Sequence, residues 1–178
     1  MKRLKQTILL AALAALSMAA SASAQENKTA VAPDAEKNKY QNVEVVPFTA
    51  QEEVNLTADE LKVITETVVK ELRDIKKFKQ VLREGETATE AGAPTLKVTG
   101  TVVKFKKGSR AKRYFVGFGA GKTKMIANVK FIDGESGQVL YEYVADGDVH
   151  MGIFGGDSGG AKSEMAEQVA KYAKKKFF

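Results

Sequence analysis

MIANVKFIDGESGQVLYEY, residues 125–143, contains the clearest structural signal in the chain. Apolar side chains alternate with polar ones on both sides of a turn sequence, Asp133 to Gly137, as in two antiparallel strands that each bury one face. The alternating apolar residues are Met125, Ala127, Val129, Phe131, Val139, Tyr141 and Tyr143. The pattern therefore predicts an antiparallel hairpin.

Two segments outside this hairpin have helical periodicity. Thr57 to Glu60 fits a capping box, in which the side chains of Thr57 and Glu60 each accept a backbone N–H at a helix N-terminus. In both segments apolar residues recur at three- and four-residue steps, which places them on one face of a helix. They are Leu61, Ile64, Val68, Leu72 and Ile75 in the first segment, and Ala161, Met165, Val169, Tyr172 and Ala173 in the second. We therefore expect two helices.

Three more strands are predicted before the hairpin. Short apolar runs lie at residues 43–48, where Pro47 ends the strand, and at residues 78–82. A longer run at residues 96–105 changes phase near Val102, which a β-bulge would explain. The expected fold class is α+β, with an antiparallel or mixed sheet of about five strands and two helices packed on one face.

Residues 1–24 have the pattern of a cleavable signal peptide. A short basic segment precedes an apolar run that is too short to anchor the chain in a bilayer, and small residues follow it. These parts are Lys2, Arg3 and Lys5, then Ile8 to Ala20, then Ala22, Ser23 and Ala24. We expect export to the bacterial periplasm or cell envelope, with no transmembrane segment after cleavage.

The remaining chain divides into a flexible lead-in, residues 25–39, and a single domain, residues 40–178. The lead-in has too few large apolar side chains to order itself.

The 28 basic and 22 acidic residues give a net charge of +6, but three of the basic residues and none of the acidic ones precede residue 25, which leaves +3. The absence of cysteine excludes disulfides, thiolate chemistry and a lipid anchor on cysteine. Lys171 and Lys174 to Lys176 lie where a helix dipole favours cations.

Cations, aromatic residues and glycines are concentrated in one segment. Exported proteins meet lipid headgroups, anionic envelope polymers and acidic proteins, whereas nucleic acid is not expected there. We expect the cations to attract such a partner and the aromatic residues to anchor it, although a solvated hairpin loop has the same composition. The cations are Lys104, Lys106, Lys107, Arg110, Lys112 and Arg113; the aromatic residues are Tyr114, Phe115 and Phe118; and Gly117, Gly119 and Gly121 permit close backbone approach.

A hydrolase built on Asp148, His150 and Ser158 is an alternative.

His150 is the only histidine, so we expect no metal site. Residues 117–123 lack the glycine spacing of a phosphate-binding loop, so we expect no cofactor. We favour a non-enzymatic binding or accessory protein.

A third hypothesis is a self-assembling structural envelope protein, in which glycines pack backbone against backbone. Six glycines lie between Gly147 and Gly160, in what the sequence predicts to be a loop before the last helix. This hypothesis makes an oligomer possible.

Residues 108–121, which read GSRAKRYFVGFGAG, are followed by a strand and the turn at Asp133 to Gly137. This combination resembles a family of bacterial exported proteins, many of them lipoproteins, catalogued only as a domain of unknown function. The later glycine-rich stretch and the closing helix are similar too. The resemblance implies an envelope protein, and it brings no established activity, substrate or catalytic residue. The chain departs from the lipoprotein members because it has no cysteine to acylate.

Overall fold

The computed structural model describes residues 37–107, 123–148 and 158–178, except for the side chains of Ser158 and Gly159. The chain divides into two units, Met1–Ala30 and Val31–Phe178, and all described residues belong to the second. The predictions for residues 1–36, and for the segment between residues 107 and 123, therefore lie outside the described residues.

The described residues form six strands and two helices. The strands are β1 (Asn42–Val45), β2 (Thr49–Ala50), β3 (Gln80–Arg83), β4 (Thr95–Lys106), β5 (Lys124–Asp133) and β6 (Val139–Asp148), and the helices are α1 (Ala58–Asp74) and α2 (Ser158–Phe177). The α+β class is confirmed. The additional strand, β2, has only two residues, which is too short to produce an alternating pattern.

All six strands belong to one mixed sheet with the order β3-β1-β4-β5-β6, in which β2 also pairs with β4. Strands β4, β5 and β6 are antiparallel neighbours, which confirms the predicted hairpin. Strand β1 runs parallel to both β3 and β4. Parallel neighbours need a crossover connection, and α1 supplies the one between β1 and β3.

The turn between β5 and β6 is closed by the carboxylate of Asp133. Its Oδ1 accepts the backbone N–H of Ser136 at 2.8 Å, and its Oδ2 accepts the hydroxyl of Tyr40 at 2.6 Å. The N–H of Ser136, and then the Tyr40 hydroxyl, hold the pKa of Asp133 well below its usual value. Since Tyr40 precedes β1, this carboxylate ties the hairpin turn to the start of the domain.

Both helices pack on one face of the sheet. α1 begins with the predicted capping box, in which Thr57 Oγ accepts the N–H of Glu60 at 3.2 Å and Glu60 Oε2 accepts the N–H of Thr57 at 3.0 Å. Inward side chains of both helices and the sheet form one core, and each large apolar side chain buried there contributes roughly 1.5–3 kcal/mol. The largest fully buried side chains include Phe131, Phe177, Ile64, Leu72, Leu96, Met125 and Met165.

The opposite face of the sheet, named the open face, is covered by no helix among the described residues. It carries cross-strand ion pairs, Lys97 with Glu44 at 3.1 Å and Lys130 with Glu142 at 3.4 Å. Polar and charged side chains on alternate positions explain why this face stays in contact with water.

Candidate functional site

The predicted binding residues begin at one end of the sheet, where three strands meet. β4 ends at Lys106, β5 begins at Lys124 and β6 ends at Asp148, and the cross-strand register places these three residues in one row. The described lysines here, Lys104, Lys106, Lys107 and Lys124, are named the basic end. The other predicted contacts belong to the connection between β4 and β5, outside the described residues: Arg110, Lys112, Arg113, Tyr114, Phe115, Gly117, Phe118, Gly119 and Gly121.

A β-bulge decides which way the lysines of β4 point. The register between β4 and β5 shifts between Val102 and Lys104, as the change of phase in the sequence predicted. Val102 is fully buried and Phe105 packs against the same core. Without the extra residue, Lys104 would share the inward face of Val102. Because of the bulge, Lys104 and Lys106 are both exposed on the open face.

Lys107 joins the end of β4 to α1. Its Nζ lies 3.0 Å from Glu60 Oε1 and 6.0 Å from the centroid of the Phe105 ring. The backbone N–H of Thr57, and then the ammonium of Lys107, lower the pKa of Glu60. The capping box of α1 therefore holds one lysine of the basic end in place.

Lys124 is held by the two carboxylates at the end of β6. Its Nζ lies 2.8 Å from Asp146 Oδ2 and 3.7 Å from Asp148 Oδ2. The hydrogen bond to Asp146 raises the pKa of Lys124. These two acids and Glu60 offset part of the positive charge, so within the described parts of the chain Lys104 and Lys106 are the lysines of the basic end that lack a carboxylate partner.

The hydrolase alternative is only partly covered by the described residues. Asp148 ends β6, and its Oδ2 lies 3.7 Å from Lys124 Nζ. Ser158 begins α2, but its side chain and His150 lie outside the described residues. In the described ranges there is no group of three or more His, Asp or Glu residues that could hold a metal ion.

Gly147 has a structural role that the sequence reasoning missed. The sequence assigned it to a loop, but it lies in β6 and packs directly against α2. A Cβ at this position would lie 2.0 Å from the carbonyl oxygen of Ala161 and 2.9 Å from the backbone nitrogen of Met165. Only glycine permits such a close approach of helix and strand. The same contact is secured by Gln168, whose Nε2 donates to the carbonyl of Asp146 at 2.6 Å.

These features define an α+β domain in which four lysines and three carboxylates lie at one end of the sheet. The chain belongs to the family described as Domain of unknown function (DUF4410), which matches residues 21–152. The resemblance to a family of unknown function is thereby confirmed, while the glycine-rich motif itself lies outside the described residues. The comparison with curated proteins gives no match.

Several solved structures are similar to this chain at low sequence identity. PelC from Paraburkholderia phytofirmans, solved as a dodecamer, has a TM-score of 0.54 and 17% identity over 78% of this chain and 92% of that one. The hypothetical protein CT253 from Chlamydia trachomatis has a TM-score of 0.50 and 11% identity over 78% of this chain and 96% of that one. Lipoprotein GNA1162 from Neisseria meningitidis has a TM-score of 0.43 and 14% identity over 75% of this chain and 98% of that one.

Proposed function

We propose that this protein is an exported, non-enzymatic module of the bacterial cell envelope that binds an anionic partner through the basic end and the β4–β5 connection. The observation that carries the proposal is the outward orientation of Lys104 and Lys106, which the β-bulge in β4 turns away from the core. Neither of these two lysines has a carboxylate partner among the described residues. Their ammonium groups present a positive surface where the basic segment of the sequence begins.

The sequence of the connection between β4 and β5 contains further cations and three aromatic residues. Arg110, Lys112 and Arg113 extend the positive charge, and Tyr114, Phe115 and Phe118 provide large apolar side chains. Cations speed the encounter with an anionic partner, whereas buried aromatic residues dominate the energy of a protein interface. The strands on both sides are fixed by their long antiparallel pairing, so the connection starts and ends on a rigid base.

Export is part of the proposal and rests on residues 1–24. The basic start, the apolar run and the small residues before Gln25 are the three features that a signal peptidase substrate needs. Within the described ranges, neither helix has the length and apolar character that crossing a membrane requires.

The test is capture of a partner from detergent-solubilised cell envelope at low and high salt. The full-length protein, expressed with its own leader, serves as bait and is compared with Arg110→Ser/Lys112→Ser/Arg113→Ser and with Lys104→Gln/Lys106→Gln. A control that matches the triple variant in charge, Lys62→Ser/Lys70→Ser/Lys97→Ser, removes two lysines from α1 and one near the start of β4. A partner that is lost in both test variants and kept by the control supports the proposal. Equal capture by all four proteins contradicts it.

We further infer that the module works as an oligomer. PelC, which shares the fold, was solved as a dodecamer. In this chain β6 is a ten-residue strand that pairs on one side only, with β5, among the described residues. A long unpaired strand edge is a natural site for pairing with another copy. Native mass spectrometry of the purified protein tests this inference, and a monomer at all concentrations up to the millimolar range contradicts it.

A further inference from the structure

A second basic surface lies at the opposite end of the sheet. It is a groove of about 490 Å³ named the lysine groove, and its described lining residues are Lys37, Lys77, Lys171, Lys174, Lys175 and Phe178. β4 has twelve residues, so at roughly 3.3 Å per residue the two ends of the sheet lie about 35 Å apart. The groove adjoins the start of β1, because the N–H of Asn38 donates to the carbonyl of Phe177 at 2.7 Å.

The lysines of this groove come from three separate parts of the chain. Lys171, Lys174 and Lys175 belong to the last turns of α2, where the negative end of the helix dipole favours cations. Lys37 precedes β1, and Lys77 lies between α1 and β3. The dipole of α2 explains lysines on that helix but not the arrival of two more from distant segments. The dipole therefore does not explain why five lysines cluster around one concave surface.

Several contacts hold the groove in shape. Lys37 Nζ donates to the carbonyl of Lys175 at 2.6 Å, and Lys77 Nζ lies 5.9 Å from the centroid of the Phe178 ring. That ring packs edge-on against Phe78, with centroids 5.1 Å apart. The Phe178 ring therefore forms an apolar wall of the groove that is packed into the domain. The ammonium groups lie around this wall.

The positive charge of the groove is poorly compensated. Lys171 has a carboxylate partner, Glu167, at 2.6 Å, and this hydrogen bond raises the pKa of Lys171. Among the described residues, the other four lysines of the groove form no ion pair, and no carboxylate side chain lines the groove. Clustered like charges oppose folding, so an anion that fills the groove would relieve their repulsion.

We propose that the lysine groove is a binding site for the phosphate group of an organic anion that also carries an apolar portion. Ammonium groups on flexible stems bind phosphate as point charges, and several of them can share one phosphate. The ring of Phe178 offers a surface for the apolar portion. The phosphate could come from a lipid headgroup or from a soluble metabolite, and the two sources differ in what lies beside the phosphate. This site is separate from the basic end and does not depend on the proposed function.

The test is a titration of the isotope-labelled protein followed by amide chemical shifts. One arm uses inorganic pyrophosphate, and the other uses dihexanoyl phosphatidylglycerol below its micelle concentration. Saturable shifts are expected at residues 37, 77 and 174–178. In Lys77→Gln/Lys174→Gln/Lys175→Gln the affinity should fall at least about tenfold, because three of the five donors are lost. Lys62→Gln/Lys70→Gln/Lys130→Gln removes the same charge from exposed positions on α1 and β5, outside the lysine groove and the basic end, and should leave the affinity unchanged.

Each outcome of the two arms either supports or overturns the proposal. Tighter binding of the lipid than of pyrophosphate supports the site and assigns it to a headgroup, because the acyl chains then contact Phe178. Pyrophosphate binding that is as tight as lipid binding, or tighter, assigns the groove to phosphate alone and overturns the part of the proposal that gives the ligand an apolar portion against Phe178. Absence of saturable shifts at the groove in both arms overturns the proposal. An equal loss of affinity in the two triple variants also overturns it, because binding would then follow net charge alone. Far-ultraviolet circular dichroism of each variant verifies that it is folded.

Discussion

Replacing Gly147 with alanine tests the contact between α2 and β6. The new Cβ would lie 2.0 Å from the carbonyl oxygen of Ala161, about 1.4 Å inside ordinary van der Waals contact. The obstacle is helix backbone, so no side-chain rotation relieves the overlap and α2 must move away from β6. That movement opens the core around fully buried side chains such as those of Met165 on α2 and Ala145 on β6. Overpacking usually costs roughly 1–3 kcal/mol, and we expect a loss of stability near the upper end, about 3 kcal/mol.

The assay is thermal and urea unfolding followed by circular dichroism. A loss of about 3 kcal/mol should lower the Tm by roughly 6–12 °C in a chain of this size. Gly92→Ala is the control, because Gly92 has φ +79° and nothing lies within 4 Å of the position that its Cβ would take. Its only cost is the left-handed backbone, roughly 1–2 kcal/mol. If Gly147→Ala is no less stable than Gly92→Ala, the close packing of α2 on β6 is wrong.

Three further substitutions test the turn, the helix cap and the core. Asp133→Asn should cost about 1.5–3 kcal/mol at neutral pH, because a buried charged acceptor is lost. Since the folded pKa of Asp133 is lowered, its contribution is present above the ordinary pKa of about 3.9 and is lost as the pH falls through the folded value. Urea unfolding should therefore lose stability more steeply below about pH 4 in the natural protein than in the variant, and parallel curves would contradict this. Thr57→Ala should cost about 1 kcal/mol through loss of the N-cap, measured by urea unfolding against Thr67→Ala, and equal effects would mean that the capping box contributes nothing. Phe177→Ala should cost about 3–5 kcal/mol and weaken the near-ultraviolet circular dichroism, because the ring lies 5.5–5.7 Å from those of Tyr40, Phe131 and Tyr141; a loss below about 1 kcal/mol would refute this packing.

Local rules in the sequence were enough to predict the hairpin and the first helix. The alternation at residues 125–143 predicted β5 and β6, and the capping box at Thr57 placed the start of α1. The change of phase near Val102 also identified the bulge. Each of these features depends on residues close together in the chain, so its signal is complete in a short window.

The sheet order and the role of Gly147 could not be predicted in this way. Parallel pairing of β1 with β3 and β4 joins residues far apart in the chain and has no turn signal. Gly147 was assigned to a loop because glycine is frequent in loops, whereas its requirement comes from α2. A single sequence does not show which helix will approach which strand.

The charge balance of the candidate site also needed the structure. The sequence showed six cations within ten residues, but it could not show that Glu60 pairs with Lys107 across the domain. The lysine groove went unrecognised because Lys37 and Lys77 are distant in sequence from the end of α2. Ion pairs and clusters of this kind depend on the tertiary fold, so only the three-dimensional arrangement identifies the cations that remain available to a partner.

Site-specific photo-crosslinking in living cells tests the central claim most directly. A photoreactive amino acid replaces Lys106 at the basic end or, as the control, Lys62 on the exposed surface of α1. After irradiation, adducts of the protein are separated by size and identified by mass spectrometry. The proposed function predicts a discrete adduct with one envelope component from position 106 and none from position 62. The same adducts from both positions, or an adduct from position 62 alone, would contradict it.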